Sequence, residues 1–458
     1  MYQDLLEILK DPERVSVNET VLEHHSGGMD YHERKKPDVV VFPKTEEEVV
    51  AIVKYAAANK VAVVPFGAGS SLEGHLLPLN RGISMDFTLM NEVVAVYPED
   101  FLVKVQPGVT RMQLNKHLKK YGLFFPIDPG ADATIGGMAA TNASGTNAVK
   151  YGTMKHNVLG LQAVMADGSV VAAGGQTVKS SAGYNLTELL IGSEGTLGIF
   201  TELTLKLAGI PEATVVAKAA FESVEEAGKA AELVLQSGVD IGKMELVDAA
   251  TIQAVNEFKG TDFEEVPTLF LEYNGTAEAT EQGIAVIKEL MEDAGTVKFE
   301  FEHDSLKRAQ LWEARHQAAL AILGKKPGCK LVATDVCLPI SQLAVTIAHT
   351  RQLLDEYKLD GAILGHVGDG NFHVAFGLDT DNRDEMERFH EFNGKMVKFA
   401  IDHRGTCTGE HGVGIGKMKF LKEERSTALP VMRMIKKVLD PQNILNPGKI
   451  VEMEEVHS

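Results

Sequence analysis

The sequence predicts an α+β protein built in two parts, and three observations carry that expectation. Its 458 residues exceed what one hydrophobic core serves, so two or three domains are expected. Residues 37–210 are rich in glycine and β-branched residues and break into many short strands. After Pro211 longer helices alternate with strands, the order expected of helices lying over an antiparallel sheet. That change of texture puts a boundary near 208–214.

Element by element, "MYQDLLEILKDPERV" reads as a short amphipathic helix and not as a signal peptide, because Asp and Glu interrupt its apolar residues. "KPDVVVFP" is a strand. Thr45 and Glu48 form a capping box ahead of a helix whose stripe is Val49, Val50, Ile52, Val53 and Ala56. "VAVVPFGAGSSLEG" (61–74) is a buried strand entering a Gly/Ser loop, followed by strands in "GISMDF", "VVAVYPED" and "FLVKVQPG" and a helix in "TRMQLNKHLKKYG". In the second half, "ATVVAKAAF", "PTLFLEYNG" and "TVKFEFE" read as strands. "SVEEAGKAAELVLQSG" and "EATEQGIAVIKELMEDAG" read as helices. The tail, 432–451, is a helix ended by Pro441.

Composition narrows the function. With 64 acidic against 45 basic residues the net charge is −19, which argues against a general nucleic-acid binder. The three cysteines, Cys329, Cys337 and Cys407, show no CxxC spacing, so a disulfide framework is not expected and a reducing, cytoplasmic interior is. No run of about 18 apolar residues predicts a membrane span. Peripheral contact with the inner face of a membrane stays open.

Three small-residue clusters carry chemistry. "PFGAGSSLEG" (65–74) offers the amides of Gly67, Ala68, Gly69, Ser70 and Ser71, which can nest around phosphate oxygens. It is neither the GxGxxG fingerprint nor a P-loop. "DPGADATIGGMAATNASGTNAVKYG" (128–152) and "LLIGSEGTLGIFTELTLKL" (189–207) are equally small and anion-tolerant. Each alone reads as tight turns; three in one domain point to a long phosphate-bearing cofactor.

A second constellation lies near the C-terminus. In "GAILGHVGDGNFHVAFGL" a hairpin closing on Gly368–Asn371 sets Val367 opposite Phe372 and His366 opposite His373. Two imidazoles so placed can share a metal ion. "GTCTGEHGVGIGK" (405–417) offers Glu410 as a third ligand, giving a two-His, one-carboxylate set that suits zinc first, with manganese or iron as alternatives. His411 then stays unligated and able to accept a proton near neutrality. A structural histidine pair and a surface His411 are the plain alternatives.

At these residues the chain resembles the FAD-binding PCMH-type proteins of the vanillyl-alcohol oxidase superfamily. The resemblance rests on the loops 65–74, 128–152 and 192–199. "LWEARHQAALAI…PGCKLVATDVCLPIS" (311–341), "GHVGDGNFH" and "GTCTGEHGVGIGK" resemble the C-terminal cap of the FAD-linked 2-hydroxyacid dehydrogenases. The nearest likeness is to the cytochrome-linked D-lactate dehydrogenases; the glycolate oxidase D subunit and D-2-hydroxyglutarate dehydrogenases share the frame. The resemblance runs from about residue 35 to 451. It implies an N-terminal helical segment (1–34), an FAD-binding domain (35–212), a substrate- and metal-binding cap (213–425) and a segment (426–458) returning to the FAD domain.

It also implies roles. Pro65, Gly67, Ala68, Gly69, Ser70 and Ser71 hold the pyrophosphate; Pro129, Gly136, Gly137, Asn142 and Gly145 line the flavin and its ribityl chain. Glu194, Gly195 and Ile199 border the adenosine side, and Asn446 returns from the tail to the ring. His366, His373 and Glu410 match metal ligands, His411 the base, and Arg315 the arginine that holds the substrate carboxylate. FAD is expected to bind non-covalently, although His75 follows the pyrophosphate loop. The implied reaction oxidises a small D-2-hydroxy acid, D-lactate first, to the 2-oxo acid, with hydride to flavin N5 and the proton to His411. The acceptor beyond FAD is a cytochrome, a quinone or an electron-transfer flavoprotein, with iron–sulfur partner subunits if the chain serves a glycolate oxidase. "VATD" (332–335) replaces the Lys-Tyr-Asp of the 2-hydroxyglutarate branch, which favours a short acid. A flavin-free metal hydrolase using the same set is the rival of a different class.

Overall fold

The computed structural model describes residues 1–453. The side chains of Glu313, Ala314 and His316, part of the "WEARH" motif, lie outside the described residues. The chain divides into two compact units. The first comprises Met1–Gly145, Tyr151–Ile210 and Glu410–Ser458; the second comprises Thr146–Lys150 and Pro211–Gly409. The return to the first unit thus starts at Glu410, ahead of the 426 expected from sequence.

The first unit holds two sheets. Strands Val39–Val41, Ile83–Asp86 and Val63–Phe66 run parallel, with Val15–Ser16 antiparallel at one edge. Helix Glu46–Asn59 buries Val49, Ile52, Val53 and Ala56 against this sheet, while Val50 stays half-buried. Each of the buried valine and isoleucine side chains contributes about 1.5–3 kcal/mol. Thr45 caps the helix through Glu48 N at 3.3 Å, but the reciprocal half of the expected capping box is absent. Glu48 instead accepts from Lys44 N and pairs with Arg14 at 2.7 Å, because a charged partner attracts a carboxylate more strongly than an amide does. The second sheet is antiparallel, in the order Val93–Tyr97, Leu102–Val105, Ile199–Lys206, Val158–Val164, Val170–Gly174.

The second unit is a single antiparallel sheet with helices, the arrangement the alternating pattern predicts. Its strands run in the order Lys298–Glu302, Ala213–Ala220, Thr268–Gly275, Ile241–Val247, Gly361–Gly365, Asn371–Leu378, Lys330–Ala333, and Val336–Cys337 adds to Asn371–Leu378. Strand Ile241–Val247 sits at its centre and reads weakly in the sequence because Gly242, Lys243 and Glu245 interrupt it.

The hairpin carrying the two histidines differs from its expected register. Leu364, not His366, lies opposite His373. The turn is a 3-10 segment, Val367–Asp369, closed by Gly370 at φ +77°. Asn371 and Phe372 pair with Cys337 and Val336 instead of with the preceding strand. A competing strand therefore takes the last rungs of the ladder, and the slip of two residues keeps side-chain parity.

Among the described residues the three cysteines form no disulfide with one another. Among the described residues no helix is long and apolar enough to cross a membrane. One buried carboxylate organises the middle of the second unit: Asp248 caps helix Ala249–Lys259 through Thr251 N at 2.8 Å, accepts Ile363 N at 3.0 Å and pairs with Arg351. Asp248→Ala strands two amides and a guanidinium. It is expected to cost about 3 kcal/mol, read as a lower denaturant midpoint for this unit.

Candidate active site

In the first unit the three small-residue loops converge. A Cβ on Gly67 would fall 2.3 Å from Thr134 Oγ1, so the first loop lies directly on the second. Gly192 N and Glu194 N donate to the carbonyls of Ala139 and Ala140 at 2.9 and 2.8 Å, tying the third loop to the second. Gly195, at φ +70°, passes so close to Pro65 that a Cβ would sit 2.6 Å from its ring. Gly136 and Gly137 lie in the first turn of helix Ile135–Thr141, capped by Thr134 Oγ1, and Asn142 ends it at φ 51°. Asn142 Oδ1 accepts from Thr153 Oγ1 and Lys155 N, while Gly145 packs on Asp128 near the half-buried Pro129.

The return segment locks onto these loops. Asn446 donates through Nδ2 to His75 O at 3.0 Å and Glu194 O at 2.8 Å, so its side chain serves as a clasp. The Glu194 carboxylate is buried and accepts Val413 N at 2.7 Å and Gly414 N at 2.9 Å. The Ile199 side chain is buried in the core where strand Ile199–Lys206 begins. Neither the Glu194 carboxylate nor the Ile199 side chain opens to water, and the Glu194 backbone is engaged by Ala140 and Asn446, so both residues shape the cradle from behind.

This cradle suits a dinucleotide. Among the described residues, the amides of Ala68, Gly69, Ser70 and Ser71 donate to no protein acceptor. The hydroxyls of Ser71 and Ser193 are buried and equally without a protein partner there. Buried polar groups are normally satisfied, so donors gathered on small residues mark a place for anionic oxygens. Glu410 and His411 follow in the same unit: Glu410 Oε2 accepts from Ser144 Oγ at 3.1 Å, and His411 Nε2 lies 3.7 Å from Glu410 Oε1.

The second unit holds the histidine pair. His366 and His373 are buried, their rings 5.6 Å apart between centroids and nearly perpendicular. His373 Nδ1 donates to Thr334 O at 3.0 Å, and His366 Nδ1 donates to Glu245 Oε1 at 2.6 Å. Donation through Nδ1 leaves Nε2 as the ring nitrogen that ligates a metal when the ring is neutral. The pair fits a divalent cation.

Two carboxylates that sequence reasoning missed stand behind these rings. Glu245 is wholly buried. Burial pushes its carboxyl up, but the charges of His366 and Arg315 outweigh that and hold it below the ordinary range. Arg315 Nε donates to Glu245 Oε2 at 2.8 Å. Trp312, one turn earlier on the same helix, packs on Phe270 and under the Lys243 ammonium, which orients that helix face. Asp335, also wholly buried, accepts Asn371 Nδ2 at 2.7 Å, Thr408 Oγ1 at 2.7 Å and Gly409 N at 2.8 Å. It thereby fixes the residue bonded to Glu410. The only sequence signal for Glu245 is an acid inside an apolar strand, and its partner His366 is 121 residues away.

Comparisons with known proteins agree with this construction. Residues 37–174 match the FAD binding domain family, and residues 210–450 match the C-terminal domain of FAD linked oxidases. The chain belongs to the FAD-linked oxidase family and is a flavoprotein oxidoreductase. It is 45% identical over 97% of its length to a probable mitochondrial D-lactate dehydrogenase of Danio rerio, covering 90% of that protein. It is 43% identical to the mitochondrial D-lactate dehydrogenase [cytochrome] of Arabidopsis thaliana, over 91% of this chain and 73% of that one. Glycolate oxidase subunit GlcD of Bacillus subtilis is 32% identical over 90% of this chain and 89% of its own. In fold, the 4-ethylphenol oxidase of Gulosibacter chungangensis superposes with a TM-score of 0.80 at 16% identity, over 99% of this chain and 97% of that one.

The clasp makes one pH-dependent contribution to stability. His75 is buried 3.3 Å from Glu194. Burial alone lowers its pKa, but Glu194 and Glu73 outweigh burial and the opposing Lys449, and raise it above 6.5. A raised folded pKa stabilises fully below the unfolded value and is lost as pH climbs through the folded one. The midpoint gap between wild type and His75→Asn is therefore expected to be full in mildly acidic solution and to shrink as pH rises past 6.5 through the raised folded value, read in thermal unfolding scans.

Proposed function

We propose that this flavoprotein oxidises D-lactate to pyruvate, with a divalent metal held by His366, His373 and Glu410 and with His411 as the base. One observation carries the reading: a buried histidine pair with both Nδ1 atoms committed, in a chain whose relatives at 39–45% identity bear the name D-lactate dehydrogenase. Glu410 is bonded to Gly409, whose amide Asp335 anchors in the histidine-bearing unit. FAD, bound non-covalently by the loops around Gly67, Gly136 and Gly195, supplies the two-electron acceptor. The metal supplies Lewis acidity that lowers the pKa of a hydroxyl beside it.

The remaining work falls to side chains. Arg315 grips the substrate carboxylate through a planar, two-pronged contact and fixes which face of the carbon is presented. His411 accepts the hydroxyl proton as the carbon–hydrogen bond breaks, so that the alkoxide never has to persist. Zinc is the first choice for two histidines and a carboxylate, with manganese or iron as alternatives. The onward acceptor is a cytochrome in the first instance, as the bracketed names of the plant and yeast relatives suggest, with a quinone or an electron-transfer flavoprotein as alternatives. We place the enzyme in the cytoplasm, in contact with the inner face of the membrane where such carriers reside.

Anaerobic mixing of D-lactate with the purified protein is expected to bleach its visible flavin bands. Prior removal of metal with a chelator should abolish the bleaching and restored zinc or manganese should return it; bleaching that survives complete metal removal contradicts the metal assignment. His411→Ala is expected to slow the same reaction about 10²–10⁴-fold with flavin content unchanged. A specific likeness supports a second reading, that of a glycolate oxidase catalytic subunit with iron–sulfur partners. Faster bleaching by glycolate than by D-lactate would favour it.

A further inference from the structure

We propose that Glu245 is a positioning residue that couples the substrate-gripping arginine to a metal-binding histidine, one buried carboxylate orienting both. The inference rests on the roles given above to Arg315 and His366 and assigns a residue that neither the motifs nor the relatives' names indicate.

Glu245 lies in the central strand Ile241–Val247 with no exposure to water. Its two oxygens are divided between two tasks. Oε2 takes Arg315 Nε at 2.8 Å, and Oε1 takes His366 Nδ1 at 2.6 Å. The arginine contact uses the inner nitrogen of the guanidinium. Among the described residues Nη1 and Nη2 of Arg315 make no hydrogen bond to protein, so the outer edge of the fork is the one offered to a second carboxylate. The histidine contact commits Nδ1 as a donor and leaves Nε2 as the ligating atom. A rigid strand anchors this carboxylate, and the strand's neighbour, Gly361–Gly365, leads directly into His366. Rotation of either partner would break a bond to a buried charge, which is why the two orientations are linked.

A merely structural ion pair would affect stability alone. A coupling residue also affects metal affinity and substrate binding, through different partners. Glu245→Gln separates the two, because a glutamine has one acceptor oxygen and must turn an N–H toward one of its two donors. In the flavin-loaded full chain, stripped of metal, the Glu245→Gln variant is expected to bind added Zn²⁺ about 10–100-fold more weakly, read by competition with a chromophoric chelator. Arg315→Gln is expected to leave Zn²⁺ affinity near wild type. At Zn²⁺ concentrations that saturate every variant, both single variants should raise the KM for D-lactate, and the double variant should raise it no further than Arg315→Gln does.

Unchanged Zn²⁺ affinity in Glu245→Gln, or KM effects that simply multiply, would overturn the inference. His366→Ala serves as the reference. If it loses Zn²⁺ while Glu245→Gln does not, the metal site stands and the coupling falls. If His366→Ala keeps full affinity, the metal reading fails and the coupling falls with it. Should Glu245→Gln fail to retain flavin, Glu245→Asp keeps the charge but ends one methylene short. Weaker Zn²⁺ binding in that variant supports the coupling, and wild-type Zn²⁺ affinity with wild-type KM refutes it.

Discussion

A carboxylate with no access to water stays ionised only where neighbouring donors replace its hydration, and the histidine-bearing unit is arranged around two of them. Glu245 and Asp335 are both fully buried. Removing a charge from water costs several kcal/mol, so each must be surrounded by fixed donors or it would not be tolerated. Glu245 finds Arg315 and His366; Asp335 finds Asn371, Thr408 and Gly409. The requirement works in both directions. The donors satisfy the carboxylates, and the carboxylates remove the torsional freedom of side chains and backbone that chemistry needs held still.

The first unit solves a different problem, that of bringing main chain close to a large anion. Its means is the absence of side chains. Gly67 against Thr134 and Gly195 against Pro65 leave no room for even a methyl group. Backbone amides can therefore crowd together with nothing between them and a ligand. Polar side chains nearby, Asn446 and Glu194 among them, are spent on holding these loops to each other.

Local signals made much of this readable beforehand. The change of texture near Pro211, the helical stripe from Val49 to Ala56 and the small-residue loops depend on residues close in the chain, and periodicity or composition reports them. What escaped depends on partners far apart. The register of the His366–His373 hairpin was decided by Val336–Cys337, a strand some thirty residues upstream that claims the last rungs. Glu48 abandoned its capping box for Arg14, 34 residues earlier. Glu245 looked like an interruption in a strand because nothing local reveals that His366 will arrive beside it. Parity keeps the two imidazoles beside each other: a slip of one residue would have turned them to opposite faces.

The order in which the chain is made bears on the parallel sheet of the first unit. Leu445 bridges Val63, Asn446 N reaches Val63 O, and buried Lys436 ties Thr196 to Leu445. The edge strand Val63–Phe66 thus waits for a partner made about 380 residues later. Translation of the intervening stretch takes on the order of tens of seconds. The contiguous run Pro211–Gly409 can assemble meanwhile as it leaves the ribosome. The nascent nucleotide cradle stays unsealed until residues 436–446 emerge, so its loops gain their last ties only then.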